Sequence, residues 1–113
     1  MNNNKIGVDI TYNKRFVAFI NDEKKYSKIL SSKEIEVFNK ISNDKRKLEY
    51  IASRFAAKEA IFKAINNKAS FREISILNNE DGSPYVEQSF TNCVIRISLS
   101  HETDYSIAFV IID

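Results

Sequence analysis

Residues 55 to 64 decide the fold, and they read Phe55-Ala56-Ala57-Lys58-Glu59-Ala60-Ile61-Phe62-Lys63-Ala64. Helix-forming residues fill this stretch, so it predicts the interior of a long helix. Glu59 and Lys63 lie one helical turn apart, with apolar surface on either side of the pair. That surface comprises Ile51, Phe55 and Phe62 on one side and Ala52, Ala56 and Ala60 on the other. A carboxylate in this setting needs a partner, either Lys63 alone or something more, such as a metal ion.

The composition is that of an ordinary globular protein. The chain has 113 residues, 43% of them hydrophobic, so we expect one domain spanning residues 1–113. A net charge of +2 is too small to indicate a nucleic-acid partner. Cys93 is the single cysteine and lies in an apolar run, which predicts a small core residue in a reduced, cytoplasmic setting. Neither the polar N-terminal residues 1–5 nor the short apolar run 107–112 predicts a secretion signal or a membrane span.

Basic residues are concentrated between positions 13 and 28. Five of them, against two acidic residues, give this segment an excess of three positive charges. The five are Lys14, Arg15, Lys24, Lys25 and Lys28. A solvated helix face is the commoner explanation of such a run, and a docking surface for an acidic partner is the alternative.

The first two-thirds of the chain predict one strand followed by helices. Apolar and polar residues alternate over Lys5–Tyr12, which predicts a strand with Asp9 on the face opposite its aliphatic residues. Residues 13–22 are predicted to form a helix or turn. Ser31 or Ser32 caps a predicted helix that runs to about Ile41, and Asp44 opens the longest helix, which ends near residues 66–67.

The last third of the chain predicts strands. Residues 71–77 and 85–88 are strand-like and are separated by a turn that contains Gly82 and Pro84. Residues 93–100 alternate in polarity, and the continuously apolar run 105–112 predicts a strand buried on both faces. Residues 101–104 join these two strands as a hairpin. A strand, then helices, then strands indicate an α+β domain.

Asp9, Glu59, Lys63 and His101 each interrupt an otherwise apolar setting. Two carboxylates from different elements suit Mg²⁺, which takes one or two protein carboxylates and completes its shell with water and phosphate oxygens. Lys63 and His101 are suited to contact phosphates, so the four residues indicate magnesium-assisted handling of a diphosphate. The alternatives are that Asp9 braces a turn, that Glu59 and Lys63 form a helix-stabilising pair, and that His101 is an ordinary hairpin residue.

Three motifs follow one another along the chain. The first is Gly7-Val8-Asp9-Ile10, followed by Arg15. The second is Arg54-Phe55-Ala56-Ala57-Lys58-Glu59-Ala60, followed by Lys63, and the third is Ser98-Leu99-Ser100-His101. In order, spacing and overall length, these motifs resemble the holo-acyl-carrier-protein synthases, which are short members of the 4′-phosphopantetheinyl transferase superfamily.

The resemblance implies the phosphopantetheinyl transferase fold, a small, mostly antiparallel sheet packed against a long central helix. It also implies an enzyme of fatty acid biosynthesis that moves the phosphopantetheine arm of coenzyme A to a serine of apo acyl-carrier protein. Adenosine 3′,5′-bisphosphate is then the second product. In such an enzyme Asp9 and Glu59 hold Mg²⁺, and Glu59, Asp9 and Lys63 are catalytic. The base that takes the serine proton is either Glu59 or a metal-ordered water near Glu34.

The same resemblance assigns roles in binding. It implies that coenzyme A contacts Lys58, Lys63, Ser100 and His101. It implies that Lys14, Arg15 and Lys25 meet the acidic carrier protein, and that the chain forms a homotrimer with the site between subunits.

The chain departs from the family at two places. After the long helix the family has a glycine-rich loop, whereas residues 66–70 here are shorter and contain no Gly, so Lys68 or backbone amides take over part of its role. Glu102 follows His101 where a small polar residue is commoner.

Two other functions remain open at the level of sequence. A non-catalytic module that binds acyl-carrier protein through the basic segment is the main alternative. Another magnesium-dependent phosphate enzyme is the third. The intact set of Asp9, Glu59, Lys63 and His101 favours catalysis, because a pure binding module need not keep polar groups against its core.

Overall fold

The computed structural model describes residues 5–113, and its elements confirm the predicted α+β fold. In chain order they are strand β1 (Lys5–Tyr12), a 3-10 turn (Asn13–Phe16), helices α1 (Glu23–Tyr26), α2 (Ser32–Asn39) and α3 (Asp44–Ile65), a second 3-10 turn (Phe71–Glu73), and strands β2 (Ser75–Asn78), β3 (Pro84–Glu87), β4 (Ile95–His101) and β5 (Tyr105–Ile112). Residues 1–4, considered above for a secretion signal, lie outside the described residues. Within residues 5–113, no helix is both long enough and apolar enough to cross a membrane.

The strands form two antiparallel sheets. The larger has the order β1-β5-β4, and the β2–β3 hairpin forms the smaller. Helix α3 packs on one face of the larger sheet, mainly against β1 and β5. Small and aliphatic residues fill the space between the two layers, among them Ala56, Ala60, Ile61, Ala108, Val110 and Ile112. The predicted packing of a small sheet against a long helix is therefore confirmed.

Gly7 lets β1 lie directly on α3. A Cβ at this position would lie 2.0 Å from the carbonyl oxygen of Ala60 and 3.0 Å from the amide nitrogen of Ala64. Both of those atoms belong to the helix backbone and cannot move aside as a flexible side chain would. Glycine is therefore the residue that fits here. Because Asp9 is two residues further along the same face of β1, this close approach also brings its carboxylate beside α3.

The predicted helix boundaries are close to those in the structure. Ser31 caps α2, and its side chain and that of Glu34 form a reciprocal capping box. Asn43 caps α3, and the helix ends at Asn66, which is left-handed with φ 51° and ψ 42°. Asparagine adopts this conformation more readily than other non-glycine residues. The chain can thus leave α3 without the glycine that the family has there.

Three details of the predicted secondary structure were wrong. Strand β5 was predicted to be buried on both faces, but Phe109 is 42% exposed. Helix α3 covers one face of the sheet, while the aliphatic residues of β1 lie on the other, where Ile6 is 67% exposed. Cys93 is exposed rather than in the core, because β4 begins only at Ile95. The strand predicted from residue 71 begins instead at Ser75, after a 3-10 turn.

We call the uncovered side of the larger sheet the open face. Its exposed apolar side chains are Ile6, Val8, Ile10, Tyr12, Tyr105, Ile107 and Phe109. They come from two paired strands and form one apolar patch. Contiguous apolar patches of this kind on a protein surface mark interaction sites.

Candidate active site

Asp9 of β1 contacts Lys63 of α3, and Glu59 lies one helical turn before Lys63; we call these three residues the Asp9 cluster. Lys63 Nζ donates to Asp9 Oδ1 at 2.9 Å and to the carbonyl oxygen of Val8 at 3.2 Å. Thr11 Oγ1 donates to the other carboxylate oxygen of Asp9 at 2.7 Å. Glu59 is half-buried one turn before Lys63 on the same helix. The structure therefore brings the predicted catalytic lysine and one predicted metal ligand into direct contact.

The ion pair in this cluster differs from the one the helix pattern indicated. Lys63 pairs with Asp9 rather than with Glu59. Glu59 has no ion-pair partner among residues 5–113. Lys63 is 56% exposed and Asp9 is 12% exposed, so the lysine can move to a ligand while the carboxylate stays in place. A partly exposed pair of this kind contributes little to stability.

The donor set of the Asp9 cluster fits Mg²⁺. Asp9 and Glu59 offer hard carboxylate oxygens from two different elements, and Mg²⁺ uses one or two such ligands together with water and phosphate oxygens. Beside them, an open groove of about 400 Å³ leaves room for a phosphate-bearing ligand. It is lined by Glu59, Phe62, Lys63, Asn66, Asn67 and Lys68. The described residues contain no group of three or more His, Cys, Asp and Glu, as a site built entirely from protein ligands would require.

A second site lies at the end of β4, and we call it the His101 pocket. Its volume is about 310 Å³. It is lined by Ile41, Arg46, Glu49, Tyr50, Ser53, Arg54, Asn78, Gly82, Pro84, Leu99 and His101. Two arginines and one histidine face a single carboxylate, Glu49, whose Oε2 lies 3.7 Å from His101 Nδ1. This balance of charge favours an anionic ligand.

The Asp9 cluster and the His101 pocket lie on opposite flanks of α3. Asp9 belongs to β1 and His101 to β4, the two edge strands of the larger sheet. Thr11, Ser106 and His101 are in register across the three strands, so the face of the sheet that carries Asp9 also carries His101. Two strand spacings, about 10 Å, separate the edges, and α3 packs on the strand between them. The two sites share no lining residue.

The side chain of Ser100 does not line the His101 pocket. Successive residues of a strand point to opposite faces. Ser100 is in register with Ile107 on the open face, whereas His101 is in register with the buried Ser106. The side chain of Ser100 therefore lies on the other side of the sheet from the pocket.

Lys58 is not placed to contact a ligand, contrary to its predicted role. Its side chain is 0% exposed, and Nζ donates to Glu34 Oε1 at 2.5 Å and to the carbonyl oxygen of Ile29 at 2.7 Å. Burial lowers the pKa of Lys58, and the charge of Glu34 opposes that shift. Glu34 is also 0% exposed, so this structure does not fit a catalytic water near Glu34.

Arg54 is a pocket residue that the residue patterns did not single out. Its guanidinium stacks 4.1 Å from the centre of the Tyr50 ring, and Nη2 donates to Asn78 Oδ1 at 2.5 Å. Burial lowers the pKa of Arg54 and raises the pKa of Tyr50 to about 12. Arg54 precedes Phe55 in the second motif, and no local pattern shows that it is buried.

The predicted partner-binding residues form an exposed basic surface. Lys14 and Arg15 lie in the first 3-10 turn, and Lys25 lies in α1. The guanidinium carbon of Arg15 lies 4.6 Å from the centre of the Phe55 ring. Phe55 is one turn before Glu59 on α3, so this contact connects the basic surface to the flank of α3 that carries the Asp9 cluster.

The chain is similar to known proteins over nearly its whole length. The sequence matches the family model of the 4′-phosphopantetheinyl transferase superfamily over residues 5–110. A holo-[acyl-carrier-protein] synthase of Geobacillus sp. (strain WCH70) is 42% identical over 113 residues, covering 96% of this chain and 94% of the relative. The crystal structure of a holo-(acyl-carrier-protein) synthase from Bacillus anthracis str. Ames, in complex with CoA (3′,5′-ADP), matches with a TM-score of 0.87 at 31% identity, covering 96% and 94% of the two chains. The Helicobacter pylori holo-[acyl-carrier-protein] synthase in complex with coenzyme A matches with a TM-score of 0.81 at 28% identity, covering 96% and 99%.

The chain belongs to the 4′-phosphopantetheinyl transferase superfamily. Within that class its near full-length relatives are holo-acyl-carrier-protein synthases, and it is a phosphopantetheinyl transferase of that group. The predicted family and fold class are both confirmed.

Proposed function

We propose that this protein is a magnesium-dependent holo-acyl-carrier-protein synthase of fatty acid biosynthesis in the cytoplasm. It transfers the 4′-phosphopantetheine arm of coenzyme A to a serine of apo acyl-carrier protein and releases adenosine 3′,5′-bisphosphate. The observation that carries this proposal is the Asp9 cluster. Asp9 of β1 contacts the exposed Lys63 of α3, and Glu59 and Lys63 line the open groove beside this contact.

In the proposed reaction the serine oxygen attacks the phosphorus that bears the pantetheine arm. The bond from that phosphorus to the leaving adenosine bisphosphate breaks, and the serine proton passes to a base. Asp9 and Glu59 would hold Mg²⁺, and the ion would supply charge neutralisation on the diphosphate. Lys63 leaves Asp9 to contact a phosphate as a point charge. Because Glu34 is fully buried, Glu59 is the remaining candidate base among the carboxylates considered.

The His101 pocket is proposed to bind the nucleotide end of coenzyme A. Arg46 and Arg54 supply the positive charge that a phosphorylated ribose requires, and His101 can add a hydrogen bond. The relatives of known structure include one with CoA (3′,5′-ADP) and one with coenzyme A, which supports a nucleotide ligand for a chain of this fold.

We propose a homotrimer because the two groups of site residues lie apart from each other within one copy. The Asp9 cluster and the His101 pocket lie on opposite flanks of α3, and the open face leaves a large apolar patch in water. A closed ring of three copies buries that patch and places the Asp9 cluster of one copy beside the His101 pocket of the next. Light scattering coupled to size exclusion is expected to give three times the chain mass of 13.0 kDa. A monomer that is fully active would contradict the shared site.

The basic surface formed by Lys14, Arg15 and Lys25 is proposed to receive the acidic carrier protein. Complementary charge of this kind speeds encounter and selects the partner. Its position on the same flank of α3 as the Asp9 cluster directs the carrier serine towards the groove.

The transfer reaction itself tests the proposed function. Purified protein is incubated with apo acyl-carrier protein and coenzyme A, in Mg²⁺ or in excess chelator, and the intact mass of the carrier is measured. We expect the carrier to gain the mass of one phosphopantetheine in Mg²⁺ and to remain unchanged in chelator. Binding of the carrier without any mass gain would support a non-catalytic binding module instead.

A further inference from the structure

The outer edge of β2 is held by side chains rather than by another strand. Alternate residues of an antiparallel strand direct both backbone polar groups away from the partner strand, and Ile76 has this orientation. Its N–H donates to Glu34 Oε2 at 2.7 Å, and its carbonyl oxygen accepts from Arg54 Nε at 3.1 Å. Glu34 belongs to α2 and Arg54 to α3, so two helices fix one residue of the hairpin.

Both carboxylate oxygens of Glu34 accept hydrogen bonds. Its Oε1 accepts from the N–H of Ser31 at 2.9 Å and from Lys58 Nζ at 2.5 Å, while Oε2 is used by Ile76. Lys58 also binds the carbonyl oxygen of Ile29. Within residues 5–113, every buried side-chain nitrogen and oxygen has a hydrogen-bond partner. A buried network of this kind strongly specifies one arrangement, because shifting any member leaves a polar group unpaired.

The same network reaches the His101 pocket through the hairpin. Asn78 is two residues after Ile76 on β2, and its Oδ1 accepts from Arg54. Its Nδ2 donates to the carbonyl oxygen of Gly82 at 2.8 Å, which closes the hairpin turn. Asn78, Gly82 and Pro84 are the hairpin's contribution to the lining of the pocket.

We infer that Glu34 and Lys58 are positioning residues that hold the β2–β3 hairpin where it forms one wall of the His101 pocket. They do not contact the ligand and act through Ile76, Arg54 and Asn78. The identity of the ligand rests on the proposed function. Because the Asp9 cluster lies on the other flank of α3, loss of this support weakens nucleotide binding more than it slows the chemical step.

Calorimetric binding of adenosine 3′,5′-bisphosphate to the full chain tests the inference. Glu34→Gln and Lys58→Met are compared with Lys33→Met as a matched control. Lys33 also connects α2 to the hairpin, through an ion pair with Glu87, but that pair is exposed. We expect Kd to rise about tenfold or more in the two buried variants, as for the loss of a buried hydrogen-bonded charge, and to stay within about twofold of wild type in the control.

Transfer kinetics distinguish positioning from a merely structural role. We expect KM for coenzyme A to rise in parallel with Kd, while kcat at saturating coenzyme A stays within about threefold of wild type. A residue that only supports folding would lower the melting temperature and leave both constants unchanged well below it. If a single variant does not fold, the double variant Glu34→Gln/Lys58→Met removes both buried charges together and takes its place.

Each outcome bears on one proposal. Folded variants that bind the nucleotide as tightly as wild type would overturn the positioning role. Wild-type protein that neither binds the nucleotide nor transfers phosphopantetheine would instead overturn the proposed function.

Discussion

Lys58 and Glu59 are neighbours in sequence, yet they belong to two different regions of the molecule. On one flank of α3, Lys58 is 0% exposed and is paired with Glu34 in a network that connects two helices to the hairpin. On the other flank, Glu59 is half-buried without an ion-pair partner among residues 5–113, close to an exposed lysine.

The difference separates charge that shapes the fold from charge that is available for chemistry. Glu34 and Lys58 are fully buried and pair with each other, so neither side chain is accessible to a ligand. The Asp9 cluster keeps a free carboxylate and a lysine that can change partners. Burial and the number of partners, rather than position in a motif, therefore indicate which role a charged residue has.

The largest expected effect is on stability, from breaking the buried pair. Lys58→Met leaves Glu34 buried without its counter-ion, and we expect the free energy of unfolding to fall by about 3–5 kcal/mol. Urea denaturation measures this loss. In the double variant Glu34→Gln/Lys58→Met much of the loss is expected to be recovered, because neither charge then remains unpaired. A loss below about 1 kcal/mol in Lys58→Met would contradict the structural role of the pair.

The next largest effect is on catalysis, from altering the Asp9 cluster. Asp9→Asn or Glu59→Gln is expected to reduce turnover by about 100-fold or more, because the charge that holds Mg²⁺ and the diphosphate is lost. Initial rates of carrier modification measure the effect. The melting temperature, measured by thermal denaturation, is expected to change little. Glu36→Gln, which removes an exposed carboxylate of α2, is the matched control. Near-normal turnover in both cluster variants would contradict the assignment of Asp9 and Glu59 as metal ligands.

A smaller effect is expected where the β1 backbone contacts α3. Gly7→Ala places a Cβ against the carbonyl oxygen of Ala60, so β1 must shift, and we expect a loss of about 1–3 kcal/mol in stability together with slower transfer. Gly82→Ala is the control, because its φ of 90° is also unfavourable for alanine but no atom lies within 4 Å of the added Cβ. Because Gly82 lines the His101 pocket, this variant is expected to destabilise the hairpin turn and weaken coenzyme A binding, but not to lower kcat. Equal effects of the two variants on turnover would show that the β1–α3 contact does not determine the position of Asp9 beside α3.

The smallest effect is expected at the surface. Arg15→Glu reverses a charge on the basic surface and is expected to raise KM for the carrier protein by about tenfold at low salt, with little change in KM for coenzyme A. The difference from wild type is expected to shrink as the ionic strength rises. A change confined to coenzyme A binding would contradict the assignment of this surface to the carrier.

Local patterns predicted most of the fold. Short-range chemistry predicts a helix cap at Ser31 or Ser32, the start of α3 at Asp44 and the placement of Asp9 opposite the aliphatic residues of β1. The structure confirms all three, with Ser31 as the cap. Alternation along a strand places neighbours on opposite faces, so the sequence also allows the separation of the Ser100 and His101 side chains to be predicted.

The rest depends on contacts between distant parts of the chain. Whether Lys58 or Glu59 is buried is decided by the packing of α2 and β2 on α3, which no pattern within α3 indicates. The apolar pattern of β5 predicted burial on both faces, which was wrong because α3 covers only one of them. The placement of Asp9 and His101 on opposite edge strands likewise appears only when the strand order is known.

A site completed by a second copy is tested most directly by mixing two impaired variants. Asp9→Asn damages the Asp9 cluster, and Arg46→Ala/His101→Ala damages the pocket. The two are unfolded and refolded together in equal amounts, and carrier modification is then measured. We expect the refolded mixture as a whole to recover about a quarter of wild-type activity, since about half of the copies contribute each intact half-site. Mixed oligomers that stay as inactive as either variant alone, while wild type treated in the same way is active, would contradict a site shared between copies.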